Sequence, residues 1–129
     1  MPAHCSYDYA VVRVVPDVAR AEFLNAGIIL FAKSHGALLA RVSLDEERLL
    51  ALAPDADLEA IRAHLASIER ICAGGEEAGP HGHLSASERF HWLTAPRSTV
   101  IGVSPVHSGL CDDPQAELER LFEVLVASP

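Results

Sequence analysis

From Tyr7 to Val15 the chain reads YDYAVVRVV, a β-branched and aromatic run in which both alternating sets of side chains are largely apolar. A strand of this kind suits burial on at least part of each face. Pro16-Asp17 breaks the run, and Glu22 to Lys33, EFLNAGIILFAK, supplies a second strand. Gly27 inside that apolar stretch marks either a bulge or a close backbone approach. Ser34-His35-Gly36 predicts a tight connection, with the glycine taking the left-handed conformation, into a third strand over Ala37 to Ser43. Adjacent antiparallel strands are the expected outcome.

After Ser43 the period changes from strand-like to helical. Leu44-Asp45-Glu46-Glu47 opens a short helix with acids in its first turn, and Pro54 ends it. Asp55 or Asp57 then caps a longer helix running to about Cys72, with Leu58, Ile61, Leu65, Ile68 and Cys72 on one stripe. The glycine-rich segment 73–83, AGGEEAGPHGH, is expected to be a flexible internal loop within a single domain spanning residues 1–129. Ser85 and Glu88 have capping-box spacing and favour a helix over Ala86 to Leu93, with strand as the alternative for RFHWL. Thr99 to Ser104 is a further β segment. The stretch SPVHSGLCDDP is expected to be a non-helical connection to a last helix, capped by Asp112 or Asp113 and started by Pro114, with Leu118, Leu121, Phe122 and Leu125 as its apolar stripe. The pattern predicts an α+β fold: a small antiparallel sheet of about four strands with helices packed mainly on one face.

A chain of 129 residues removes roughly two-thirds of its unfolded surface from water and needs no disulfide or structural metal to hold a core. Its formal charge of −8, with a single lysine at Lys33, argues against nucleic acid as a partner. That charge is unevenly spread: residues 1–43 carry +1 and residues 44–129 carry −9, so arginines in the strand-rich part are not outweighed locally. No secretory signal is expected, and the longest apolar run, Ala26 to Ala32, falls well short of a membrane span. Cys5, Cys72 and Cys111 are odd in number and widely spaced, unlike a disulfide framework, which points to a reducing cytoplasm. Twenty alanines, and nine arginines against one lysine, fit a GC-rich bacterial genome.

Two places carry unusual chemistry. Arg13 is a charge inside an apolar strand; either it pairs with Asp8, Asp17 or Glu22, or it forms the cationic floor of a pocket. The second is APRST at Ala95 to Thr99 followed by SPVHSG at Ser104 to Gly109, the densest run of hydrogen-bonding side chains. Arg97, Ser98, Thr99 and His107, with Arg13 or Arg20 nearby, would suit a carboxylate or phosphate if they converged. Otherwise their side chains satisfy their own loop backbone. Ser104, His107 and Asp112 or Asp113 contain the residue types of a hydrolase triad but lack a nucleophile elbow. His81-Gly82-His83 has no partner ligand at fixed spacing, so no metal site and no cofactor are expected.

The strings YDYAVVRVVPDVARAEFLNAGIILF at Tyr7 to Phe31 and RFHWLTAPRSTVIGVSPVHSGLCDDP at Arg89 to Pro114 resemble the bacterial domain-of-unknown-function family 3037, over nearly the whole chain. The resemblance implies a partner, through the association of some members with kinase-like proteins, and transfers no catalytic residue. The expected function is therefore a non-enzymatic accessory or protein-interaction module, acting on a protein partner or as a homo-oligomer. A small-anion or nucleotide-binding domain, enzymatic or not, built on the Arg, Ser, Thr and His cluster is the alternative.

Overall fold

The computed structural model describes residues 4–96 and 99–127. At the centre of its sheet is β1, Cys5–Val14, which pairs antiparallel with β2, Leu24–Ala32, along one edge. Beyond β2 lies β3, Ala37–Val42, also antiparallel. The other edge of β1 is shared end to end by β4, Ile101–Val103, and β5, His107–Cys111. Among the described residues five strands thus make a sheet four strands wide. β5 lies within the segment expected to be a plain connection to the last helix.

The joint between β4 and β5 explains why they are separate strands. The edge advances four residues from Val103 to His107 while β1 advances three from Val12 to Tyr9, so Ser104-Pro105-Val106 holds one residue too many. Pro105 has no N–H for a ladder bond. The buried Ser104 hydroxyl stands in for backbone here, accepting from Val11 N at 2.8 Å and donating to Pro105 O at 2.8 Å, while Ser104 N donates to Val11 O.

On the opposite edge the register slips between Val12 and Arg13, leaving an extra residue in β2 next to Gly27. A Cβ at Gly27 would stand 2.8 Å from the Arg41 carbonyl and 2.7 Å from Val42 Cγ1. Both sequence readings of this glycine therefore hold: it adjoins a bulge and allows a close approach by β3. Gly36 takes the left-handed conformation (φ 59°) that closes the turn between β2 and β3.

Both sheet faces are covered, as the doubly apolar β1 requires. Val12 and Val14 share a core with Leu49 of α1, Glu46–Leu52, with Ile61, Leu65 and Ile68 of α2, Leu58–Ala73, and with Phe90 of α3, Ala86–Thr94. Tyr7 and Val11 face the other way, onto Leu118, Leu121 and Phe122 of α4, Pro114–Phe122. Among the described residues three of the four α-helices lie on the first face and α4 covers the second, running on into a π-helical turn at Glu123–Ala127.

Caps decide the helix starts. Asp45, Asp57 and Asp113 each accept a backbone N–H from the first turn, and Ser85 and Glu88 form a reciprocal capping box. In segment 73–83 a 3-10 stretch, Glu76–His81, bends at Gly79 and buries Ala78, with Gly75 N donating to Gly82 O at 3.2 Å. No helix among the described residues is long and apolar enough to cross a membrane.

Candidate functional site

Arg13 occupies β1 between Asn25 on β2 and Gly102 on β4, on the α4 side of the sheet by strand alternation. None of the expected carboxylates serves it. Asp8 accepts from Ser108 Oγ at 2.6 Å, Asp17 caps Ala19 N at 3.0 Å, and Glu22 pairs with Arg20 at 2.7 Å. The guanidinium instead lies over the Phe23 ring, 4.2 Å from its centroid. Its buried Nε has no partner among the described residues, and neither has Oδ1 of its cross-strand neighbour Asn25.

The other described candidates do not gather around it. His107 begins β5 and packs its ring on Tyr9 (centroids 5.3 Å apart), four residues along β1 from Arg13. At about 3.3 Å per residue that separates the two by roughly 13 Å. Arg20 borders a cleft of about 200 Å³ shared with Asp17, Glu22 and Asp55, an acidic setting unsuited to an anion. Thr99 Oγ1 donates to Ile101 O at 2.6 Å, satisfying its own loop. Arg97 and Ser98 lie outside the described residues.

The triad types have other duties as well. Ser104 is consumed by the strand joint, Asp112 pairs with His4 at 2.8 Å, and Asp113 caps α4. Among the described residues no group of three or more His, Cys, Asp and Glu is placed to hold a metal ion.

Two constellations escaped the sequence reading because they depend on the register of β5. In the first, Tyr7 lies opposite Gly109, where a Cβ would meet the phenol at 2.7–3.0 Å; the missing side chain makes room for the ring. The Tyr7 hydroxyl donates to Glu117, whose carboxylate also takes Nε and Nη2 of Arg120 at 2.9 and 2.8 Å. Burial first, then the Glu117 carboxylate, push the Tyr7 phenol up to about 12 from an ordinary value of 10.0. Arg120 holds Glu117 below the usual carboxylate range.

A raised phenol contributes stability that is complete below pH 10 and is lost as pH climbs through the folded value near 12. Urea melts of the native chain should lose about 2–3 kcal/mol across that window from this group. Tyr7→Phe should remove that component of the alkaline decline, and an unchanged slope in the variant would show that Tyr7 does not set it.

The second constellation is the edge itself. Among the described residues β5 pairs only with β1, so its outer backbone groups have no strand partner. β3, at the other margin, has Leu38 buried, with Ala40 and Val42 packed on the first core and Ala37 and Leu39 on the second. On β5, by contrast, His107, Ser108 and Leu110 are exposed, and only Cys111 is buried. Leu110 is 68 % exposed and Val106, in the joint, 45 %. Leu110 pairs with Ser6 at a corner of the first face. Ser6, Asp8, Lys33, Ser87 and His91 line a cleft of about 260 Å³ there.

A two-sided antiparallel α+β domain whose edge strand β5 is largely exposed is the class these features define. A family model described as "Protein of unknown function (DUF3037)" matches residues 9–126, and the chain belongs to that family. No curated protein and no solved structure matches the chain.

Proposed function

We propose that the domain is a protein-interaction module that receives a partner segment along β5. The observation that carries this reading is Leu110, a large apolar side chain two-thirds bare on a strand whose outer edge is unpaired among the described residues. Such an edge takes an added strand through main-chain hydrogen bonds, while Val106 and Leu110 offer apolar anchors to alternate side chains. Asp8, Lys33 and His91 supply a polar rim. The bulge at Ser104-Pro105-Val106 interrupts the edge and limits the docked segment to the length of β5.

Site-specific photo-crosslinking in cells tests this. A photoreactive residue at position 110 should give discrete protein adducts, including self-adducts if the partner is a second copy. The same residue at Glu59, on the exposed side of α2, should not. Equal yields at the two positions would overturn the proposal.

One observation favours a second reading. Arg13 has no carboxylate partner among the described residues, which suits a small anion bound beside Phe23 and Asn25. A thermal-shift panel of phosphate, nucleotides and carboxylates addresses it, since a ligand at 100 times its Kd adds about 2.7 kcal/mol. A shift abolished by Arg13→Gln would favour the anion-binding domain over the interaction module.

A further inference from the structure

We propose that Cys5 and Cys111 form a redox pair that closes reversibly to a disulfide, tying the first strand of the sheet to the last. The two residues are 106 positions apart in sequence, yet they are register partners in the β1–β5 ladder with their Sγ atoms 3.4 Å apart. Directly opposed residues in an antiparallel pair have Cα atoms about 4.5–5.5 Å apart, within the range of about 4.4–6.8 Å that a disulfide spans. Bonding brings the sulfurs to about 2.0 Å, a closure of roughly 1.4 Å that side-chain rotation supplies without displacing either strand. Both thiols are free and buried against α4. The third cysteine, Cys72, belongs to the core on the opposite face and has no part in the pair.

Access follows from position. Cys5 is the first residue of β1 and Cys111 the last of β5, so the pair closes the end of the ladder, where strands open most readily. Outside it, among the described residues, the exposed His4–Asp112 ion pair bridges the two strands at this end. A small hydroperoxide is the oxidant class that such an opening admits.

The chemistry balances. The thiolate of one cysteine attacks a peroxide oxygen, the O–O bond breaks, a sulfenic acid forms, and the released hydroxide leaves as water with that thiol's proton. The second sulfur then attacks the sulfenic sulfur; the S–S bond forms, the S–O bond breaks, and the hydroxyl leaves as a second water with the second proton. Two electrons pass from the sulfur pair to the peroxide, and a reducing thiol restores both cysteines by exchange. Burial, then the neighbouring Cys5, push the Cys111 thiol up to about 12, so little of that sulfur is thiolate at neutral pH.

The test uses the full chain, exposed to hydrogen peroxide and then alkylated after unfolding. We expect an intact mass lower by two hydrogens, one alkylatable cysteine identified as Cys72, and a crosslinked peptide pair containing Cys5 and Cys111. The melting temperature should rise by on the order of 5–10 °C and return on adding dithiothreitol. Cys5→Ser should abolish the rise, and Cys72→Ala should keep it. Three alkylatable cysteines after treatment, a bond to Cys72, or oxidation only between chains or to single sulfinic acids would each overturn the proposal. These readouts come from the unmutated chain, so they decide the matter even if Cys5→Ser does not fold. They are also independent of whether β5 receives a partner.

Discussion

Leu118→Ala should lower the free energy of unfolding by about 2–5 kcal/mol, the range for a fully buried leucine cut back to alanine. Leu118 is 2 % exposed, and it sits in the core that α4 forms with Val11, Ile28 and Leu30. Among the described residues the first sheet face has three α-helices to share the loss of a side chain, whereas the second has α4. Its polar ties among the described residues include Tyr7 to Glu117 and Arg41 to Glu119, and the turn that follows it adds Asn25 Nδ2 to Leu125 O at 3.0 Å. Removing the central apolar contact should therefore loosen the whole helix. Urea denaturation provides the measurement, with Leu52→Ala, at a half-open position on α1, as a control expected to cost less than about 1 kcal/mol. Equal losses in the two variants would mean that α4 is not the main cover of its face.

Arg89→Met should cost about 3 kcal/mol, although it keeps much of the side-chain volume. The Arg89 guanidinium closes the C-terminus of α2, donating from Nη1 to Ile71 O and Cys72 O at 2.7 Å each, and from Nε to Leu84 O at 3.1 Å. Hydrogen bonds from a charged donor contribute about 1.5–3 kcal/mol each, less when three share one group. Methionine leaves carbonyls at the helix end without their donor. Because the same fork joins α2 to the segment leading into α3, amide exchange at Gly75, whose N–H donates to Gly82 O, and at Gly82, whose N–H donates to Gly79 O, should speed up along with the loss of stability. Arg89→Lys should recover only part of the effect, since one ammonium cannot reproduce the fork.

Much of the fold was legible because the relevant signals are local. The 3.6-residue stripe of α2, the capping box before α3, and the prolines and glycines between strands act over a few residues and are visible in the chain. The doubly apolar β1 also foretold cover on both faces, although it could not say that α4 would provide the second. β5 was not visible. HSGLC follows a proline, holds a glycine, and buries only its last residue, so an edge strand of this kind lacks the alternation that betrays a half-buried one.

The candidate site was less legible for a related reason. Arg13 stands out as a charge in an apolar run, yet its companion Phe23 does not, because a cation over a ring leaves no charge pattern in the sequence. The Tyr7–Gly109 and Cys5–Cys111 pairs exist only once β5 is in register with β1. Composition and spacing carry no record of such a pairing across about a hundred residues. Thr99 and Ser104, read as candidates for chemistry, serve backbone atoms instead.

The place of β1 also governs the order in which the molecule is completed. β1 and β2 are neighbours in the chain and can zip together early, but the strands that seal the other flank of β1 begin at Ile101. While the intervening residues are synthesised, the hairpin carries an open, hydrophobic flank that no later element relieves until the last part of the chain arrives. Folding should accordingly be governed by a slow, late docking step with a large sequence separation, and the nascent hairpin is the stage most exposed to mispairing with other chains.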